Sequence, residues 1–230
     1  MKKIGVIILC RYNSSRLPGK ILLPIGNQPI LMHICNQVKI QTDNFCIATS
    51  DAHTDDPIIN YCKENQIPFF RGSLENVALR FKEAAQCFNY NYAIRINGDN
   101  LFVNHNILNE CLNNYQRTNF DLVTNVIGRT FPYGMSVEML NMQTFDKYLP
   151  HFNEFHQQHV TSYIYENEEK FKIIKLLNIE YPGAQGLKMA VDTPKDYIFL
   201  KELAKQMAYN FTNYNFAELI EKCNKLKSNL

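Results

Sequence analysis

Short apolar runs alternate with longer stretches of helical spacing over the first 125 residues, and that alternation leaves the chain few architectures. Residues 3–9 carry the run Ile4-Gly5-Val6-Ile7-Ile8-Leu9 and read as a strand. Over 29–40, Pro29 stands ahead of Ile30, Leu31, Ile34 and Val38, the spacing of one helix face. Phe45 to Thr49 is a second strand, and Asp55-Asp56-Pro57 opens a helix to about Asn65, with acids and a proline in its first turn. Pro68-Phe69-Phe70 is a third strand, followed by a helix to about Phe88 for which Ser73 is the expected N-cap. Tyr92 to Ile96 is a fourth strand, with a helix over 105–116 and a strand over 120–125 after it. Strands separated by helices predict a largely parallel sheet with helices on its faces.

The second half is less regular. A strand over 135–140 is reached through Phe131-Pro132-Tyr133-Gly134, a helix spans 155–167, and strands follow over 171–180 and 187–191. Asp192-Thr193-Pro194 starts a helix to about 208, and 215–227 is amphipathic with a lysine-rich end. With no repeat, linker or low-complexity segment, 1–230 reads as one domain, in which 126–185 forms a lobe over the site.

Bulk composition narrows the partners. The 24 basic and 22 acidic side chains leave a net charge of +2, so nothing in the overall charge draws the chain to nucleic acid or to an anionic membrane. A cationic site must be local. The seven cysteines are scattered, without a C-x-x-C pair or a Cys/His cluster, so reduced thiols in the cytoplasm are expected instead of a disulfide framework or structural zinc. Met1-Lys2-Lys3 is followed by an apolar run too short for a signal peptide, and no stretch is long enough to span a bilayer.

Local charge gathers where the strands end. The first strand empties into Arg11-Tyr12-Asn13-Ser14-Ser15-Arg16-Leu17-Pro18-Gly19-Lys20, which offers three cations and turn-exposed N–H groups to an anion such as a triphosphate. In open α/β sheets, ligands settle at the carboxyl ends of the strands. Asp99, in Asn97-Gly98-Asp99, and Asp192 follow two further strands and together suit one Mg²⁺ with phosphates and water completing the octahedron. Taken singly, Asp99 also reads as an Asx-turn residue and Asp192 as a helix N-cap.

The segment Arg11 to Lys20 resembles the R-x-x-S-x-R-L-P-G-K signature of the cytidylyltransferases that activate sugars, chiefly the spore-coat polysaccharide type and more distantly the 3-deoxy-manno-octulosonate and acylneuraminate enzymes. Ala48-Thr49-Ser50-Asp51, Phe70-Arg71-Gly72-Ser73, Arg95 to Asp99, His159 to Ile164 and Val191 to Asp196 follow in that family's order. The resemblance implies a Rossmann-like nucleotidyltransferase fold related to GT-A glycosyltransferases, CTP and Mg²⁺ as ligands, and pairing as a homodimer. It implies Arg11, Arg16 and Lys20 on the triphosphate with Ser14 nearby, and Asp99 and Asp192 on the metal. Leu9, Cys10, Arg71 and Ser73 would line the base and ribose. The chain departs from the family at Asn100-Leu101, where Cys-Pro is usual.

The implied reaction is attack of an acceptor oxygen on the α-phosphorus of CTP, expelling pyrophosphate, for surface glycan assembly. Arg129, Tyr133, Glu138, His159 and Lys188 are the expected acceptor contacts. Glu138 alternates with Val137 and Met139 as a solvent-facing strand residue also would, and His156 and His159 have a helix-surface spacing that also suits metal. A GT-A glycosyltransferase and a non-catalytic nucleotide-binding protein are the competing readings. Against the first, Asn97-Gly98-Asp99 supplies one carboxylate where those enzymes centre on Asp-x-Asp.

Overall fold

A computed structural model describes residues 3–114 and 119–228. In chain order the elements are β1 (Ile4–Leu9), a hairpin of β2 (Pro24–Ile25) and β3 (Gln28–Pro29), α1 (Ile30–Lys39), β4 (Phe45–Ser50), α2 (Asp56–Glu64), β5 (Phe69–Gly72), α3 (Val77–Cys87), β6 (Tyr92–Asn97) and α4 (His105–Asn114). There follow β7 (Leu122–Thr124), β8 (Glu138–Asn141), α5 (Met142–Tyr148), α6 (Glu154–Gln158), α7 (Ser162–Glu166), β9 (Ile173–Lys175), α8 (Pro194–Gln206) and α9 (Phe216–Ser228).

The large sheet has the order β5-β4-β1-β6-β8-β7-β9. Pairing is parallel from β5 through β6, antiparallel on both sides of β8, and parallel again between β7 and β9. All six residues of β1 are buried, as a central strand covered on both faces requires. The period-2 alternation sorts its side chains between two cores. Val6 and Ile8 pack with Leu31 and Ile34 of α1, Ile58 of α2, Leu108 of α4, Leu200 of α8 and Leu219 of α9. Ile7 and Leu9 pack on the other face with Phe81 of α3, Phe145 of α5 and Ile164 of α7.

Several expected elements are corrected. Ser73 is not the N-cap of α3: Asn76 is, its Oδ1 accepting from Leu79 N–H at 2.8 Å, while Ser73 Oγ accepts from Asn76 N–H at 3.0 Å and holds the preceding turn. The helix expected over 155–167 is broken into α6 and α7, with His159 at φ −116°, ψ 78° between them. The strand expected over 187–191 exists only as isolated bridges, Tyr133 to Lys188 and Asn100 to Ala190, and that over 171–180 shortens to β9. The hairpin β2–β3 and α5 carry no periodicity long enough to declare them. Of the helix expected over 105–116, residues 115 and 116 lie outside the described residues.

Candidate active site

At the carboxyl ends of β1 and β6 lies a cleft of about 940 Å³. Its wall is the basic loop, and a buried acid pins that loop. Asp55 is fully buried and accepts from Tyr12 N–H at 2.7 Å, Thr49 Oγ1 at 2.7 Å, Ser50 Oγ at 2.6 Å and Ser50 N–H at 2.9 Å. Burial alone would raise its pKa, yet the hydroxyl and backbone donors outweigh that and hold the carboxyl below its ordinary range. Gly19 N–H closes the loop onto the Tyr12 carbonyl at 2.7 Å. β1 and β6 meet tightly here, because a Cβ on Gly98 would sit 2.6 Å from Cys10 Cβ.

The pinned loop brings Lys20 between the two predicted aspartates. Lys20 Nζ lies 2.6 Å from Asp99 Oδ2 and 3.2 Å from Asp192 Oδ1. Arg16 reaches Asp192 at 3.3 Å, and Lys188 Nζ lies 3.1 Å from the other Asp192 oxygen and 2.7 Å from Asp196 Oδ2. Burial raises the Asp192 pKa, but the Lys188 hydrogen bond and the Lys20 charge lower it further, and the carboxyl ends below its usual range. Asp192 is not the helix N-cap. Thr193 caps α8 in a capping box with Asp196, and Asp196 Oδ2 also accepts from Asp192 N–H at 3.2 Å. The helix start therefore sets the backbone of the carboxylate that precedes it.

Leu9, Cys10, Arg11, Ser14, Arg16, Lys20, Asp99 and Asp192 all line the cleft, whereas Arg71 and Ser73 do not. Arg71 instead braces the segment after β4, donating to the carbonyls of Ser50 at 3.1 Å and Ala52 at 2.9 Å and pairing with Asp56 at 2.8 Å. The wall on that side is built from Thr54, Leu74, Val77 and Arg80. Arg80 is 3% exposed and its Nη1 donates to the Ser73 carbonyl at 2.6 Å. An arginine at helical spacing looks like any solvated one, so no sequence signal marks it. Burial, foremost, pushes the Cys10 thiol up.

The five expected acceptor contacts, Arg129, Tyr133, Glu138, His159 and Lys188, also line the cleft. Glu138 is not solvent-facing. It is fully buried, ion-paired with Arg95 on the adjacent strand and hydrogen-bonded by the Tyr165 hydroxyl. Arg95 Nη1 in turn donates to Asn97 Oδ1 at 2.8 Å, two residues before Asp99. His156 and His159 do not form a metal pair. His156 is buried, its Nδ1 accepting from Asn153 N–H at 3.2 Å and its Nε2 meeting Glu166 at 2.8 Å. Among the described residues no group of three or more His, Cys, Asp or Glu is placed to hold a metal. Asp99 and Asp192 remain: two hard oxygen donors converging on one cationic group, which suits Mg²⁺ completed by phosphate and water.

A family model described as cytidylyltransferase matches residues 5–229. The spore coat polysaccharide biosynthesis protein SpsF of Bacillus subtilis is 30% identical over 235 residues, covering 98% of this chain and 95% of that protein. The uncharacterized protein MJ1063 of Methanocaldococcus jannaschii is 31% identical over 228 residues, covering 98% and 91%. Among solved structures, a cytidylyltransferase from Leptospira borgpetersenii superposes with a TM-score of 0.90 at 29% identity over 99% of this chain and 96% of that one. A CMP:2-keto-3-deoxy-manno-octonic acid synthetase complexed with CTP, at 15% identity, covers 90% of this chain and 100% of its own with a TM-score of 0.65 and shares the Rossmann-like fold.

Proposed function

This chain belongs to the cytidylyltransferase family, and from that membership and the geometry of its cleft we propose that it transfers CMP from CTP to a sugar or sugar-phosphate-like acceptor, releasing pyrophosphate, in the assembly of surface glycans. The observation that carries the reading is the convergence of Lys20 on Asp99 and Asp192, at 2.6 and 3.2 Å, beneath a loop with two further arginines. A triphosphate needs both kinds of group. Cations bind its oxygens, and a carboxylate pair holds the metal that travels with it.

In the reaction an acceptor oxygen bonds to the α-phosphorus as the bond from that phosphorus to the pyrophosphate oxygen breaks. The protein's share is alignment and charge. Arg11, Arg16 and Lys20 bind the triphosphate and stabilise the charge that collects on the leaving pyrophosphate. Asp99 and Asp192 would hold Mg²⁺, which would supply positive charge to offset that of the α-phosphate. Arg129, Lys188 and His159, which line the cleft, are the contacts assigned here to the acceptor. An acceptor phosphate attacks as the anion it already is, whereas a sugar hydroxyl must lose its proton to a base or to solvent.

The reading also includes Mg²⁺ dependence, a cytoplasmic location and a homodimer. Seven unpaired cysteines, six of them buried, fit a reducing compartment. No helix among the described residues is long and apolar enough to cross a membrane. Leu177 and Ile179, both exposed, offer apolar surface to a second copy. The deciding experiment is pyrophosphate release from CTP with Mg²⁺ and a panel of sugar 1-phosphates and 2-keto acid sugars. Release that requires an acceptor and yields a CMP-linked product is expected. Glycosyl transfer from a nucleotide sugar, with no pyrophosphate from CTP, would replace this reading with the glycosyltransferase one.

A further inference from the structure

Lys20 sits where a cation shared by the two aspartates would be held. Its ammonium touches both Asp99 and Asp192, and its side chain is only 10% exposed. Charge around it balances, with Asp99, Asp192 and Asp196 facing Arg16, Lys20 and Lys188. From this geometry we infer that Lys20 is the site's own counter-cation, closing the metal position until a nucleoside triphosphate arrives, so that metal and nucleotide bind as a coupled pair. The inference rests on the CTP site proposed above and deepens it by assigning how that site loads.

A divalent ion entering alone must take the carboxylate oxygens from Lys20. That leaves a buried ammonium without an anion, which is strongly unfavourable. A triphosphate removes the obstacle, because its oxygens accept the displaced ammonium and its charge offsets the metal's. The four-carbon stem of lysine lets the ammonium move while the backbone stays in place. Here the backbone is held by the Gly19–Tyr12 and Tyr12–Asp55 hydrogen bonds. Neither neighbouring cation duplicates this role. Among the described residues Arg16, 61% exposed, pairs with Asp192 alone, and Lys188 is shared between Asp192 and Asp196. Among the described residues only Lys20 pairs with both aspartates. By linkage, the factor by which nucleotide raises metal affinity equals the factor by which metal raises nucleotide affinity.

The test titrates Mn²⁺ alone into nucleotide-free protein and follows free Mn²⁺ by electron paramagnetic resonance. Wild type is compared with Lys20→Met and, as a second variant with a polar neutral side chain, Lys20→Gln, each verified as folded by circular dichroism. Both variants should bind Mn²⁺ about tenfold more tightly than wild type, within the usual range of site–site coupling. Adding Asp99→Asn to Lys20→Met should abolish the gain. Calorimetry of CTP with Mn²⁺ on wild type runs in parallel. If wild type takes up CTP with Mn²⁺ but neither Lys20 variant gains Mn²⁺ affinity, this inference is overturned and the cytidylyl-transfer reading stands. If wild type binds no CTP at any Mn²⁺ concentration, that reading falls and the inference falls with it.

Discussion

Asp55 touches no part of the proposed chemistry, yet the basic loop hangs on it. Four donors from Tyr12, Thr49 and Ser50 converge on its buried carboxylate. Removing the acceptor leaves those donors unpaired in a buried site, so Asp55→Ala should cost about 3 kcal/mol. Thermal unfolding would read that as a melting temperature lower by about 6–12 °C. The pH dependence has a definite sign. The folded pKa of Asp55 is depressed, so its stabilisation is complete above the unfolded carboxylate value and is lost as pH falls through the folded one. The gap in melting temperature between wild type and Asp55→Ala should therefore narrow below about pH 4. A gap that stays constant down to pH 2 would show that Asp55 does not act through its charge. At this scale Arg11, Arg16, Lys20 and Asp99 were legible in the sequence as charge gathered after strand ends, although Asp99 taken singly also read as an Asx-turn residue. Asp55 and Arg80 were not, because each reads as an ordinary residue of a helix start or helix face until its neighbours are known.

Among the elements, α8 and the segment before it do the most to shape the site. No regular strand delivers Asp192. Instead residues 187–191 lie against Tyr133 and Asp99, with Tyr133 N–H donating to Leu187 at 2.9 Å, Met189 N–H to Tyr133 at 2.6 Å and Val191 N–H to Asp99 at 3.0 Å. The close approach depends on Gly134, where φ is +88° and an added Cβ would lie 2.2 Å from Ala190 N. Gly134→Ala combines left-handed backbone strain with displacement of the Asp192 segment. It should lower stability by about 2–3 kcal/mol and should slow CTP turnover as well. Gly183→Ala is the control: its Cβ meets nothing within 4 Å, and its stability should stay within about 0.5 kcal/mol of wild type. Equal melting temperatures for the two variants would refute the packing argument. Periodicity found the long elements, α1 through α4 and β1, β4 and β6, because each buries a continuous stripe. It missed the break at His159, where the backbone leaves helical dihedrals at φ −116°, ψ 78°.

Across the whole molecule, the sheet changes from parallel to antiparallel at β8, and the cleft spans that change. Lys20 of the loop pairs with Asp99 and with Asp192, the latter 172 residues away in sequence. A ligand bridging such distant segments stabilises the folded state as a unit. CTP with Mg²⁺ at ~100 times its dissociation constant should add about 2.7 kcal/mol, a rise of roughly 5–10 °C in melting temperature for a chain of this size. UTP, GTP and ATP should give smaller shifts. An equal rise with all four nucleotides would show a site that grips phosphates without reading the base.

By itself, the sequence determined the α/β alternation, the strand ends that carry charge and the family to which the chain belongs, because each is written in contiguous residues whose spacing or order is readable along the chain. The tertiary structure alone decided the relation between those pieces. It placed Lys20 between Asp99 and Asp192, buried Glu138 against Arg95 and Tyr165, and set Arg71 on the Ser50 and Ala52 carbonyls and on Asp56. The physical reason is that a charged side chain's role is set by its partners and its access to water, and for these residues the partners lie far away in sequence.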